Sequence, residues 1–99
     1  MKQSRAAAQE AAEALAVQAL TFIAEDAERL GRFLAVTGIG PAEIRAASNE
    51  PGFLGGVLDY LASDERLLLE FAATAEADPA TVDKARLVLG GSPWERDVP

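Results

Sequence analysis

The 99-residue sequence contains no cysteine and no histidine. Those two absences together remove disulfides, thiolate nucleophiles, imidazole bases and the standard zinc-finger ligand sets. A cysteine-free chain also fits a cytoplasmic protein, which is the location expected here. β-Branched residues are few and no segment alternates apolar and polar residues with period two, so there is no strand signal. No apolar run approaches the roughly 18 residues that a membrane span needs. At the amino terminus, Gln9, Glu10 and Glu13 interrupt the alanines that follow Lys2 and Arg5, so no signal-peptide core forms. Basic residues are the other shortage: nine Lys and Arg stand against 16 Asp and Glu, for a formal charge of −7. The nine are scattered from Lys2 to Arg96, with acids between most of them. A phosphate backbone needs such cations gathered in one patch, so the composition argues against nucleic acid as a partner.

What remains is abundant alanine in a chain long enough for one domain, 1–99, with 1–5 expected as a disordered N-terminus and 92–99 as a C-terminal tail. The first helix is expected over Ala6–Ala24, with Ala8, Ala11, Ala12, Leu15, Ala19, Phe22 and Ile23 on one face, widened by Ala16 and Leu20. Asp26 reads as an N-cap for a second helix over Ala27–Thr37, in which Arg29 stands where a capping box would carry Glu or Gln. Glu25 with Arg29 and Glu28 with Arg32 have the acid-first i,i+4 spacing of exposed ion pairs. Gly38 should end this helix, and Gly40-Pro41 should start a short one reaching Ala47 with Ile44 as its anchor. Residues 48–50 read as a turn. Ser63 is expected to cap a helix over Asp64–Ala75 whose Leu67, Leu68, Leu69 and Phe71 form the densest apolar cluster. Asp78-Pro79 starts the last helix, which ends at Gly90-Gly91.

Between these lies the segment that organises the rest, a helix opened by Pro51. On a helical wheel Phe53, Leu54, Val57, Leu58, Tyr60 and Leu61 cover one broad arc, while Gly52, Gly56 and Asp59 fall together opposite. Glycine inside a helix costs roughly 1 kcal/mol relative to alanine. Three glycines, at 52, 55 and 56, are therefore a liability unless another helix or a partner packs closely against the missing side chains.

Setting the sequence against itself with a shift of 38 residues aligns Leu20 with Leu58, Asp26 with Asp64, Leu30 with Leu68, Phe33 with Phe71 and Pro41 with Pro79. Phe22 with Tyr60, Ile23 with Leu61 and Ile44 with Val82 follow in the same register. Core anchors, an N-terminal acid and a helix-starting proline thus recur at equivalent places, as in a duplicated three-helix unit. Such a duplication would set the first helix and the hub helix side by side at the centre.

Candidate chemistry is sparse. Gly38-Ile39-Gly40 before a helix has the outline of an anion-binding turn, but position 43 is Glu, Pro41 removes a donor and no strand precedes it. Leu30–Ala47 has the outline of a helix-turn-helix, yet its second helix offers a groove only Glu43 and Arg45. Asp59 would act as a general acid or base only if buried and unpaired, and with Asp64 or Glu65 it makes no oxygen-rich metal loop. Trp94, in the tail, either folds back over the edge of the core, the favoured outcome, or anchors another protein.

The runs Glu-Asp-Ala-Glu-Arg-Leu-Gly-Arg-Phe-Leu at 25–34, Thr-Gly-Ile-Gly-Pro at 37–41, Glu-Pro-Gly-Phe-Leu at 50–54 and Val-Leu-Asp-Tyr-Leu at 57–61 resemble a small bacterial family of the DUF3572 type, over about residues 10 to 91. The resemblance implies a compact cytoplasmic helical protein and brings no catalytic residues. The fold expected is all-α, a compact bundle of five or six helices. The function expected is a non-enzymatic protein-interaction module, an adaptor or regulatory subunit, with a homodimer as one form it could take. Its partner would be a protein, and no cofactor or metal is expected. Gly52, Gly56, Asp59 and Trp94 are the candidate surface. The alternatives are a helix-turn-helix-like DNA-binding regulator, which clustered Arg29, Arg32 and Arg45 would favour, and a small-ligand binder or weak enzyme using acidic residues, which a polar cavity at Asp59 would favour.

Overall fold

The computed structural model describes residues 5–47 and 51–90, and places them in six α-helices with one 3₁₀ turn. They are α1 (Arg5–Ala24), α2 (Ala27–Thr37), a 3₁₀ turn (Pro41–Glu43) running into α3 (Ile44–Ala47), α4 (Pro51–Ala62), α5 (Glu65–Ala75) and α6 (Pro79–Leu89). No strand occurs among the described residues, and no helix among them is long and apolar enough to cross a membrane. The chain is an all-α bundle. α1 starts at Arg5, one residue before the expected start and inside the segment expected to be disordered. Residues 1–4, the turn at 48–50 and the tail lie outside the described residues.

Local chemistry sets most boundaries. The Asp26 carboxylate accepts from the backbone N–H of Glu28 and Arg29, at 2.8 and 3.3 Å, and so caps α2. Asp64 accepts from Leu67 N–H at 3.2 Å, and Asp78 from Ala80 N–H at 2.9 Å. Such caps each hold about 1 kcal/mol of helix stability. The cap of α5 is thus Asp64 and not Ser63, whose hydroxyl donates backward to the Tyr60 carbonyl at 2.7 Å and closes α4. Gly38 ends α2 with φ +76°, its N–H donating to Leu34 O at 2.8 Å.

Arg29 explains why α2 lacks a capping box. Its Nε and Nη2 donate to the Phe22 carbonyl at 3.2 and 2.8 Å, and its guanidinium carbon lies 3.9 Å from the centre of the Phe22 ring. The side chain satisfies a carbonyl that the end of α1 would otherwise leave unpaired and adds a cation–π contact. Its ionic partner is Asp26, at 4.0 Å, and not the expected Glu25. Arg32 does not pair with Glu28 either; the one i,i+4 ion pair among the described residues is Arg66 with Glu70, at 3.7 Å.

α4 is the hub. It packs against α1, α5 and α6, and every residue from Phe53 to Leu58 is buried, glycines included. Ile23, Phe33, Val57, Leu58, Leu61, Phe71 and Val82 are all but fully enclosed, each contributing about 1.5–3 kcal/mol of burial. Some residues expected inside are not. Leu69 stands 49% exposed, and Ala8 and Ala11 are exposed on α1. The wheel puts all three near apolar arcs, but among the described residues no second element reaches that far around.

The duplicated register appears in the backbone. α1 and α4 end at Ala24 and Ala62, α2 and α5 span 27–37 and 65–75, and Pro41 and Pro79 open the third elements. Asp26 and Asp64 are both N-caps, and the left-handed residues that end α2 and α5, Gly38 and Glu76, are also 38 apart. The aromatic contacts are reciprocal. Phe33 meets Tyr60 with ring centroids 5.1 Å apart, and its equivalent Phe71 meets Phe22, the equivalent of Tyr60, at 5.5 Å. Contacts in which residue i of one unit meets j of the other, and j meets i, are the signature of a two-fold relation. The third elements break it: α6 has 11 residues and packs on both α1 and α4, whereas α3 has four and buries none of them. The chain must leave α3 to enter α4 at Pro51, where the second unit runs on as Arg86–Leu89.

Candidate interaction surface

α6 packs against α4 at Gly55 and Asp59. At Gly55 a Cβ would stand 2.8 Å from the Gly90 carbonyl oxygen and 3.2 Å from Leu89 Cβ. Gly52 is half-buried and Gly56 buried. Asp59, one turn beyond Gly55, points along the same ridge and accepts from Arg86 Nη1 at 3.1 Å; Arg86 Nη2 donates to Asp83 at 2.7 Å. The Asp59 side chain is only 14% exposed. The hydrogen bond to Asp83, opposed by desolvation and assisted by Asp59, holds the Arg86 guanidinium above its ordinary range, so it stays charged. Its Nε is buried without a hydrogen-bond partner. α6 is therefore fixed to the hub by backbone contact at one end and by an ion pair a turn away.

On its other side α6 packs against α1. Between them runs an open, apolar groove of about 500 Å³, walled by Ala8, Ala11, Ala12 and Leu15 of α1 and by Ala85 and Val88 of α6, with Gln18 and Lys84 at its edge. Val88 is 43% exposed, and Leu87 beside it 70%. Alanine walls lack protruding side chains, so a flat ring or a second helix can approach closely.

A family model described as "Protein of unknown function (DUF3572)" matches residues 9–92. The chain belongs to that family. The match spans both three-helix units, and Trp94 falls beyond it. No curated protein and no solved structure matches the chain.

The remaining polar sites of this DUF3572 chain are largely self-satisfied. At the turn before α3, the Glu43 carboxylate accepts the Gly40 N–H at 3.2 Å, so the turn supplies its own anion. Arg29 and Arg32 line a shallow polar groove between the starts of α2 and α5, where Asp26, Glu28, Asp64 and Glu70 accompany them. Arg45 is not among its lining residues. Among the described residues no three carboxylates converge in a way that could hold a metal ion. Tyr60, half-buried against Phe33, has its phenol pKa raised by desolvation, with Arg32 pulling it down and Asp64 adding to the rise. Trp94 lies outside the described residues. Gly55, Arg86 and the exposed pair Ala8 and Ala11 were not singled out as surface candidates from the sequence. The i,i+4 spacing of Gly55 and Asp59 was a usable signal, because it sets both on one ridge.

Proposed function

We propose that this DUF3572 chain is a non-enzymatic protein-interaction module, an adaptor or regulatory subunit acting in the cytoplasm, and that its contact surface is the groove between α1 and α6. The observation that carries this reading is the groove itself: small apolar walls, a half-exposed Val88 among them, and room for the apolar face of an amphipathic helix from a partner protein. The state of the acids supports the non-enzymatic part. Asp26, Asp64 and Asp78 cap helices, Glu43 holds a turn and Asp59 is paired with Arg86.

The test is affinity purification from the native cell with wild type, Ala11→Glu and Val88→Asp. A protein retained by wild type and lost from both variants, with far-UV circular dichroism unchanged, is the expected result. A set of bound proteins identical across all three would refute the groove as the contact surface.

A further inference from the structure

Two hollows along α1 form one continuous groove. The first is the apolar groove against α6; the second, of about 260 Å³, lies between the last turns of α1 and α5, where Thr21 and Glu25 face Thr74 and Ala75. Gln18 lines both. Ala8, Ala11, Leu15, Gln18, Phe22 and Glu25 follow the three- and four-residue steps of a single helical stripe. The Glu25 N–H still donates to Thr21 O at 3.0 Å, so the stripe keeps helical register to its end. From Ala8 to Glu25 it is about 25 Å long. We propose that a second copy of this chain fills the groove, α1 against α1 and antiparallel, about a two-fold axis through Gln18. The inference rests on the reading of the groove as a contact surface and names its partner.

Charge selects that occupant. α1 and α4 end at the same pole of the bundle, since the caps that follow them, Asp26 and Asp64, line one polar groove. α6 runs against α4, with Arg86 on Asp59 and Gly90 beside Gly55. It therefore runs against α1 too, Thr81 toward Gln18 and Val88 toward Ala8, and Lys84 falls between, alongside the turn from Ala11 to Leu15. Glu25 and Lys84 thus stand on opposite sides of Gln18. A two-fold axis there sets position 25 of one copy opposite position 11 of the other, both seven residues from the axis, and brings each Glu25 to the Lys84 of the second copy. Neither residue makes an ion pair with another described residue of its own chain. On the axis two Gln18 amides meet, and an amide is its own complement, donor to acceptor. Ala8, Ala11, Ala12 and Ala14 keep the wall flat enough for the two helices to approach closely.

Light scattering on the purified full chain should report a mass that moves from one chain to two as concentration rises. Glu25→Lys alone and Lys84→Glu alone should each raise the dimer Kd about tenfold or more, because each sets like charges together at both copies of the contact, while circular dichroism stays helical. Mixing these two variants in equal amounts should restore the dimer, since both contacts of the mixed pair again join opposite charges. Recovery on mixing supports the pairing, because a contact within one chain gains nothing from a second variant chain. A wild type that stays monomeric to millimolar concentration overturns the proposal, as does a dimer that neither reversal weakens or that mixing fails to restore. A monomeric wild type that still captures a different protein, lost with Ala11→Glu and Val88→Asp, defeats the second copy and leaves the interaction reading standing.

Discussion

Two glycines inside helices give opposite expectations for the same substitution. Gly31 lies on the exposed face of α2 with no atom within 4 Å of where a Cβ would be, whereas at Gly55 that Cβ meets the Gly90 carbonyl oxygen at 2.8 Å and Leu89 Cβ at 3.2 Å. Replacing either by alanine recovers about 1 kcal/mol of helix propensity. At Gly31 nothing opposes the gain. At Gly55 the carbonyl belongs to backbone and cannot rotate away, so the end of α6 must move off the hub. Overpacking of this kind costs about 1–3 kcal/mol. The propensity term cancels between the two variants, and their difference isolates the overlap. Because 1 kcal/mol shifts Tm by roughly 4–8 °C in a domain of this size, Gly31→Ala should melt about 4–8 °C above wild type, with Gly55→Ala at least that much below Gly31→Ala. Thermal unfolding followed by far-UV circular dichroism measures both. If Gly55→Ala melts with or above Gly31→Ala, the close approach of α6 to α4 is not a constraint and the account of the hub fails.

The left-handed residues after α2 and α5 make a second pair: Gly38→Ala should lose about 1 kcal/mol, and Glu76→Gly should gain stability by relieving a conformation that costs an L-residue about 1–2 kcal/mol, both read from urea midpoints. Asp59→Asn should cost about 1–2 kcal/mol by weakening the tie to Arg86, which keeps Asp83, and the loss should shrink when Arg86 is changed to Met in a double-mutant cycle. Since burial raises the Tyr60 pKa, the folded state favours the neutral phenol. That contribution is complete below pH about 10 and is lost as pH rises through the folded value. The phenolate absorbance should therefore titrate above pH 10 in the native chain and near 10 in urea, and Tyr60→Phe should flatten the alkaline fall in stability; a native midpoint at or below 10 would contradict this.

Much of the fold is written in short-range chemistry and is legible without coordinates. Asp26 and Asp78 bond backbone donors two or three residues away, Gly38 resolves the end of its own helix, and prolines at 41, 51 and 79 open the segments they precede. The register of 38 residues is visible for the same reason, since it matches one set of local signals to another. Even there one cap was misplaced, because Ser63 and Asp64 are both competent and only the direction of the Ser63 hydroxyl decides between them.

The surface was less legible, because it depends on distances between elements far apart in sequence. A wheel placed Gly52 and Gly56 opposite the apolar arc and passed over Gly55, where the α6 backbone comes close, since that approach is made by the crossing of α6 over α4. It likewise placed Ala8 and Ala11 inside, although α6 leaves them uncovered. Arg29 was matched with Glu25 by spacing, but the carbonyl at the end of α1 lies nearer once α2 folds back. By itself, then, the sequence determined where helices begin, end and repeat, because those choices are made by atoms a few residues apart. Only the tertiary structure decided which faces of those helices are covered, because burial is a property of how two helices cross and neither strand of sequence contains the crossing.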